Sequence, residues 1–276
     1  MRAYSDSARY RVSNPFRVTV NTLERHHLTG HYRGDRWGSE CDGDLVIIEN
    51  AAFDGCVFTQ FAPRAVMISR ARFIDCTLET CSPEGGNLGA ALEPQTRYER
   101  CTFSSCDFRG VEFGTACYIQ CVFHRCSWTS STNVRRAEFV DCRFLGELRG
   151  LVFMRKVPRA LRNRRDRRAN LITGNDFREA KLIDVGFTGG VDLNTQHLPT
   201  GDPYLMIDDW PTARRAALRR IRKSRPREER QALELEIKVM SNFYAGQRSV
   251  WLSRLGVHPT TAAAIDELAA AVDPSA

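Results

Sequence analysis

Large apolar residues recur at every fifth position over a long middle stretch of the chain. From Ile48 the frame reads Ile48, Phe53, Phe58, Ile68, Phe73, Leu78, Leu88, Tyr98, Phe103, Phe108, Phe113, Tyr118, Phe123 and Trp128, broken only by Pro63, Pro83 and Glu93. Eleven aromatic residues lie between 48 and 128, and Phe61 is the one outside this frame. A second track runs two residues earlier and is small or slender apart from Phe61: Val46, Ala51, Cys56, Val66, Ala71, Cys76, Cys81, then Cys101, Cys106, Cys121 and Cys126. After a one-residue shift the beat continues as Ala137/Phe139 and Cys142/Phe144, then returns as Leu151/Phe153, Asn175/Phe177, Ala180/Leu182 and Val185/Phe187.

A period of five fits neither the 3.6 of an amphipathic helix nor the 2 of a half-buried strand. It fits a chain that turns a corner every five residues, with one large and one small side chain pointing inward from each side. Four sides make a coil of about twenty residues, and coils stack so that each buries its neighbours' interior. Steps of twenty then predict columns Phe58, Leu78, Tyr98, Tyr118 and Phe139; Pro83, Phe103, Phe123 and Phe144; and Ile48, Ile68, Leu88, Phe108 and Trp128. On this count Cys81, Cys101, Cys121 and Cys142 fall in one column.

Over residues 44–153 and 170–193 this pattern resembles the pentapeptide-repeat family, with Phe or Leu central and Ala or Cys two residues before it. The resemblance implies an all-β solenoid, a right-handed quadrilateral β-helix, here followed by a C-terminal α-helical segment. The resulting division is an N-terminal cap over 1–43, a β-helix over 44–198 interrupted by a basic loop at about 154–169, and a helical segment over 199–276 that caps the solenoid or pairs two copies as a homodimer. It also implies a protein partner. The best-understood members of that family engage DNA gyrase, a type II topoisomerase, in antibiotic resistance or self-protection, and do so by resembling duplex DNA in shape and negative charge.

Stacked cysteines invite a disulfide ladder or a metal site. Side chains in register lie at about the 4.8 Å spacing of paired strands, beyond the Cβ separation of about 3.8 Å that a disulfide favours. Members of the pairs 76/81, 101/106 and 121/126 fall on different faces. Buried thiols acting as small hydrophobes account better for them, and no metal or cofactor is expected. His26, His27, His31 and Cys41 match no compact zinc spacing, and Val12, Phe16, Val18 and Val20 suggest an extended cap.

Three stretches break the rhythm. Residues 83–95 keep the count but lose large inward residues, which predicts a bulging side. Residues 129–136 hold the one-residue insertion, a corner loop. The segment from 155 to 168 contains Arg155, Lys156, Arg159, Arg162, Arg164, Arg165, Arg167 and Arg168 against Asp166 alone, cannot sit inside a coil, and is the candidate partner contact, since guanidinium forks suit phosphate and carboxylate. Past the Pro- and Gly-containing boundary at 198–203, helices are predicted over 213–223, after Pro226 and after Pro259. On the second, Leu233, Ile237, Met240 and Tyr244 recur on one face, the candidate helix interface.

Charge qualifies the DNA-mimic expectation. The 276 residues carry a net charge of +7, yet 44–153 hold 11 basic and 13 acidic side chains, whereas 154–202 hold 10 and 6. The solenoid is near neutral and the basicity lies downstream, which keeps open a scaffold that contacts nucleic acid or an acidic partner through Arg-rich segments. No phosphate-binding Gly-Lys-Ser/Thr loop, His-Glu-x-x-His or nucleophile constellation is present, so no enzyme is expected. No apolar run approaches the ~18 residues of a membrane span, and Met1–Asp6 opens no signal-like apolar stretch; a cytoplasmic location is the expectation.

Overall fold

The computed structural model describes residues 25–39, 43, 45–156 and 169–272. Short parallel strands stack into two long ladders, of ten and seven strands. Pairing advances by twenty residues between Ile48 and Ile68, between Phe53 and Phe73, and between Phe58 and Leu78. Leu45–Asp54 runs across a corner, so two faces of the coil share the ten-stranded ladder.

The corners explain the beat. Asn50, Gln60, Arg70, Asp75, Thr80, Arg100, Ser105, Gln120, Arg125 and Asp141 all have φ between 51° and 56°. Each lies two residues past a large inward side chain, in the left-handed region that ordinarily costs about 1–2 kcal/mol per residue. Interior burial outweighs this, since a large side chain removed from water contributes about 1.5–3 kcal/mol. Within the coil, rings stack in columns. Tyr32, Phe53, Phe73, Tyr98, Tyr118 and Phe139 form one, with successive centroids 4.9, 4.7, 4.6, 4.7 and 5.2 Å apart. Phe103, Phe123, Phe144 and Phe177 form another, at 4.8, 5.0 and 4.7 Å.

These columns differ from the twenty-residue arithmetic. Phe73 pairs with Tyr98, Leu78 with Phe103, and Val111 with Gly86, so one coil has 25 residues. Ile68 lies over Leu88, because Val66 pairs with Gly86, and the extra unit therefore lies between Leu88 and Tyr98. The chain bulges there: Ala90 N–H reaches Ile68 O at 2.8 Å, and the ladder resumes with Arg97 N–H on Ala71 O at 3.0 Å. The predicted bulge is present, but it carries a whole additional pentapeptide. The column of Phe58 and Leu78 thus continues to Phe103, and that of Phe53 and Phe73 to Tyr98. Thr102 then pairs with Val122 at twenty residues and Val122 with Arg143 at 21, the extra residue sitting in a turn where buried Thr132 donates its hydroxyl to Phe108 O at 2.7 Å.

The ladder also begins earlier than the expected boundary at 44. Arg25–Arg33 pairs in parallel with Leu45–Asp54, and Arg36–Trp37 with Val57–Thr59, which adds the sides of an earlier coil with Leu28 and Trp37 inside. The cap residues Val12, Phe16, Val18 and Val20, and Cys41, lie outside the described residues.

Downstream, Tyr204–Ile207 pairs antiparallel with Val250–Ser253. Three helices follow the predicted positions: α1 Trp210–Ser224, capped by the Asp209 carboxylate on Thr212 N–H, α2 Arg227–Phe243 after Pro226, and α3 Pro259–Val272. Among the described residues no helix is long and apolar enough to cross a membrane.

Candidate functional site

The interior is packed rather than hollow. A void of about 30 Å³ remains where Leu78, Pro83 and Leu88 occupy positions that the following coil fills with Phe103, Phe108 and Phe113. It is wholly apolar and offers nothing to hold a substrate.

Thiols line the coil without forming disulfides: nine described cysteines are free and buried. The extra pentapeptide re-sorts eight of them into two columns, Cys56, Cys76, Cys101, Cys121 and Cys142, and Cys81, Cys106 and Cys126, with Cys117 outside both. In the first column each thiol from Cys76 onward donates to a carbonyl of the preceding coil: Cys76 to Phe53 O at 3.5 Å, Cys101 to Phe73 O at 3.5 Å, Cys121 to Tyr98 O at 3.4 Å and Cys142 to Tyr118 O at 3.3 Å. Hydrogen bonding to the neighbouring thiol, then burial, raise Cys76 far above an ordinary thiol, and the bond to Cys121 leads in raising Cys101 to about 12. Such thiols stay protonated and are poor nucleophiles and metal ligands.

The surface carries both signs, interleaved. Arg33 pairs with Asp54, Arg70 with Glu49, Arg72 and Arg97 with Glu99, Arg100 with Asp75, Arg109 with Asp107, Arg143 with Glu179, and Arg178 with Asp176. The Arg178 guanidinium holds Asp176 down at about 2. Because cations sit over these carboxylates, the paired faces present no continuous acidic strip.

The predicted partner contact is placed in part. Arg155 and Lys156 are exposed at the point where the chain leaves the coil. Their N–H groups reach Thr188 O at 3.1 Å and Gly189 O at 3.0 Å, and Asn170 returns onto Arg155 O at 2.7 Å. Arg159, Arg162, Arg164, Arg165, Arg167 and Arg168 lie outside the described residues.

The candidate helix interface is covered by the chain itself. Leu233, Ile237, Met240 and Tyr244 are buried in a second core with Trp210, Ala217, Ile221, Val250, Leu252, Ile265 and Leu268, and Tyr244 meets Trp210 edge-on at 5.8 Å. A second copy is not needed to bury this face. Glu267, buried between α1 and α3, accepts from Arg220 at 3.1 Å and Arg225 at 2.6 Å. This second core is fastened to the last coil by residues the periodicity did not single out. Trp251 packs on Tyr204 at 4.8 Å and edge-on to Phe187 at 6.1 Å, and donates its indole N–H to Pro199 O at 3.1 Å. Gln247 accepts from Gly190 N–H at 2.6 Å, and Thr188 donates to Phe243 O at 2.6 Å. The helices therefore cap the solenoid within one chain.

Five-residue faces stacked in parallel register, closed by a helical cap, define a pentapeptide-repeat β-solenoid. No protein-family model matches the chain, and no curated protein matches it. Among solved structures it is similar to full-length QnrB1, a plasmid-mediated fluoroquinolone resistance protein, at 14% identity and a TM-score of 0.26, over 64% of this chain and 92% of that one. A trypsin-treated QnrB1 variant is similar at 15% identity and a TM-score of 0.17, over 59% and 92%. At these scores the likeness is distant, and the fold stands on the strand pairing described above.

Proposed function

We propose that this chain is a non-catalytic binding protein whose solenoid serves as a rod held against a protein partner. One observation carries the reading: the interior is filled by stacked rings and protonated thiols, which leaves the chemistry to the outer surface. The family resemblance directs the finer reading to a type II DNA topoisomerase, DNA gyrase first, with protection against antibiotics or self-protection as the role. The rod of stacked coils supports it. The ion-paired surface means that charge mimicry of duplex DNA would not suffice, so shape and the helical cap have to contribute.

A second reading, a scaffold that contacts nucleic acid or an acidic partner, is favoured by Arg155 and Lys156 at the coil exit and by α1, which carries six basic side chains and no acidic one. Supercoiling by purified gyrase, with and without a fluoroquinolone and across a titration of this protein, separates the two. Inhibition or relief of drug poisoning supports the topoisomerase reading. No effect on either, together with salt-sensitive binding to duplex DNA, overturns it in favour of the scaffold.

A further inference from the structure

We propose that the groove between α1 and α2 is a docking site for an acidic amphipathic helix of a partner protein. It is an open cleft of about 510 Å³, walled on the α1 side by Arg214, Arg215 and Leu218 and on the α2 side by Leu235 and Lys238, with the Arg222–Glu234 ion pair bridging it at 2.8 Å. The inference rests on the reading of the chain as a binding protein, but not on what the solenoid binds.

Two independent features meet there. The first is a second apolar stripe on α2. Leu233 and Ile237 face the core, whereas Leu235, 63% exposed, lines the cleft opposite Leu218 of α1, and Val239, one turn on and 54% exposed, continues from it along the outer face of α2. Phe243 turns instead onto Gly186 of the last coil. At about 1.5 Å per residue Leu235 and Val239 lie some 6 Å apart along the axis, about one turn of a docked helix. An apolar stripe beside a groove is how amphipathic helices are captured, through anchors spaced three and four residues apart.

The second feature is charge. Arg222 is neutralised by Glu234, and Arg215 donates to the Thr212 hydroxyl at 3.1 Å. Among the described residues, Arg214 and Lys238 have no carboxylate within ion-pair distance. α2 also carries Glu228, Glu229, Glu234 and Glu236, yet residues 210–243 together hold ten basic against four acidic side chains, the excess lying on α1. A partner that brings carboxylates alongside its apolar face satisfies both features.

Other occupants fit less well. A second copy placed on a two-fold axis through the groove would set Arg214, Arg215 and Lys238 against themselves, since such an interface repeats the same patch on both sides. The chain's two longer remaining segments are basic too: residues 1–24 hold four basic and two acidic side chains, and 157–168 hold six and one. A nucleic-acid backbone would use the cations but leave the Leu235 and Val239 stripe in water.

The test uses the full chain and a fluorescein-labelled eighteen-residue helical peptide with leucines on one face and glutamates flanking them. Its controls are the same composition scrambled, the sequence with lysine for glutamate, and a labelled DNA duplex. Anisotropy should show saturable 1:1 binding of the acidic peptide, weakened at least tenfold by Leu235→Asp and by Arg214→Glu with the melting temperature unchanged. The scrambled and lysine peptides should bind at least tenfold more weakly. Equal binding of the scrambled peptide, or duplex binding that Leu235→Asp leaves untouched, overturns the proposal in favour of a merely cationic surface. Sedimentation that shows a dimer dissolved by Leu235→Asp overturns it in favour of self-association. A supercoiling effect in the absence of peptide binding sinks the groove inference alone; peptide binding without any effect on gyrase sinks only the topoisomerase reading.

Discussion

Tyr98 and Tyr118 lie face to face inside the coil, centroids 4.7 Å apart and planes 4° apart, yet only one hydroxyl is bonded. Tyr98 donates to Leu88 O at 2.9 Å, a carbonyl next to the extra pentapeptide. The Tyr118 hydroxyl is fully buried with no hydrogen-bond partner. Identical side chains in one column therefore differ in energy, because a buried polar group left unpaired forfeits its hydration. Tyr98→Phe should cost about 1 kcal/mol, whereas Tyr118→Phe should be neutral or stabilising by a similar amount. Urea denaturation of the two variants measures the sign, and a loss at both positions would contradict this assignment.

The 25-residue coil makes a prediction about length. Removing Ala91–Gln95 leaves twenty residues between Phe73 and Tyr98 and returns Thr96 to the place of a small inward residue. This five-residue deletion should melt cooperatively within about 5 °C of the parent. Removing only 91–94 throws every later residue out of phase and should abolish folding, as a register slip does in any sheet with one buried face. Circular-dichroism melts compare the two.

The small void among the early coils lies beneath Leu78, whose ladder neighbours on either side are Phe58 and Phe103. Leu78→Phe continues the ring column and should gain roughly 0.5–1 kcal/mol, from the cost of about 24 cal/mol per Å³ of cavity. Leu78→Ala should cost about 2–4 kcal/mol. A destabilising Leu78→Phe would mean that the coil cannot admit a ring.

The thiols tie stability to pH. Cys101 is raised to about 12 in the fold against about 8.5–9 in the unfolded chain, so between those values the folded chain holds more protons than the unfolded one. Stability is fully present below pH 9 and declines as pH rises toward 12. Asp176 acts on the opposite side: held at about 2 by Arg178, its contribution is present above pH 4 and fades as pH falls toward 2. Denaturant midpoints from pH 2 to pH 11 should trace both limbs. At pH 8 the buried thiols should resist a disulfide reagent until the chain is unfolded.

Trp251 closes the last coil. Ending the chain after Asp202 would bare Leu182 and Phe187 together with an open ladder edge, which templates pairing with other chains. The truncated protein should aggregate, as light scattering would show. Trp251→Ala in the full chain should cost about 3–5 kcal/mol. A truncation that stays monodisperse and melts like the parent would make the helices a separate appendage.

Periodicity alone determined that the chain coils with a corner every five residues, and which side chains point inward. Phe53, Tyr98 and Phe123 are buried in either column scheme, because corner geometry acts on each pentapeptide locally. The helix starts after Pro226 and at Pro259, and the buried face of α2, were equally legible, since proline position and helical spacing are local too, whereas α1 begins at Trp210, three residues before the expected 213. Column membership was not. An inserted multiple of five keeps every residue in frame while moving Tyr98 from the column of Phe58 to that of Phe73, and only the pairing of coils tells these apart. The first coil was also hidden, since its strand Arg25–Arg33 is half polar and a register shift between Leu28 and Gly30 puts its inward Tyr32 and Trp37 one residue out of the frame that Leu28 shares with Ile48. The coverage of Leu233, Ile237, Met240 and Tyr244 was likewise a tertiary decision. A helix face states that it must be buried; whether its own chain or another molecule buries it depends on where Trp210, Leu252 and Leu268 come to rest.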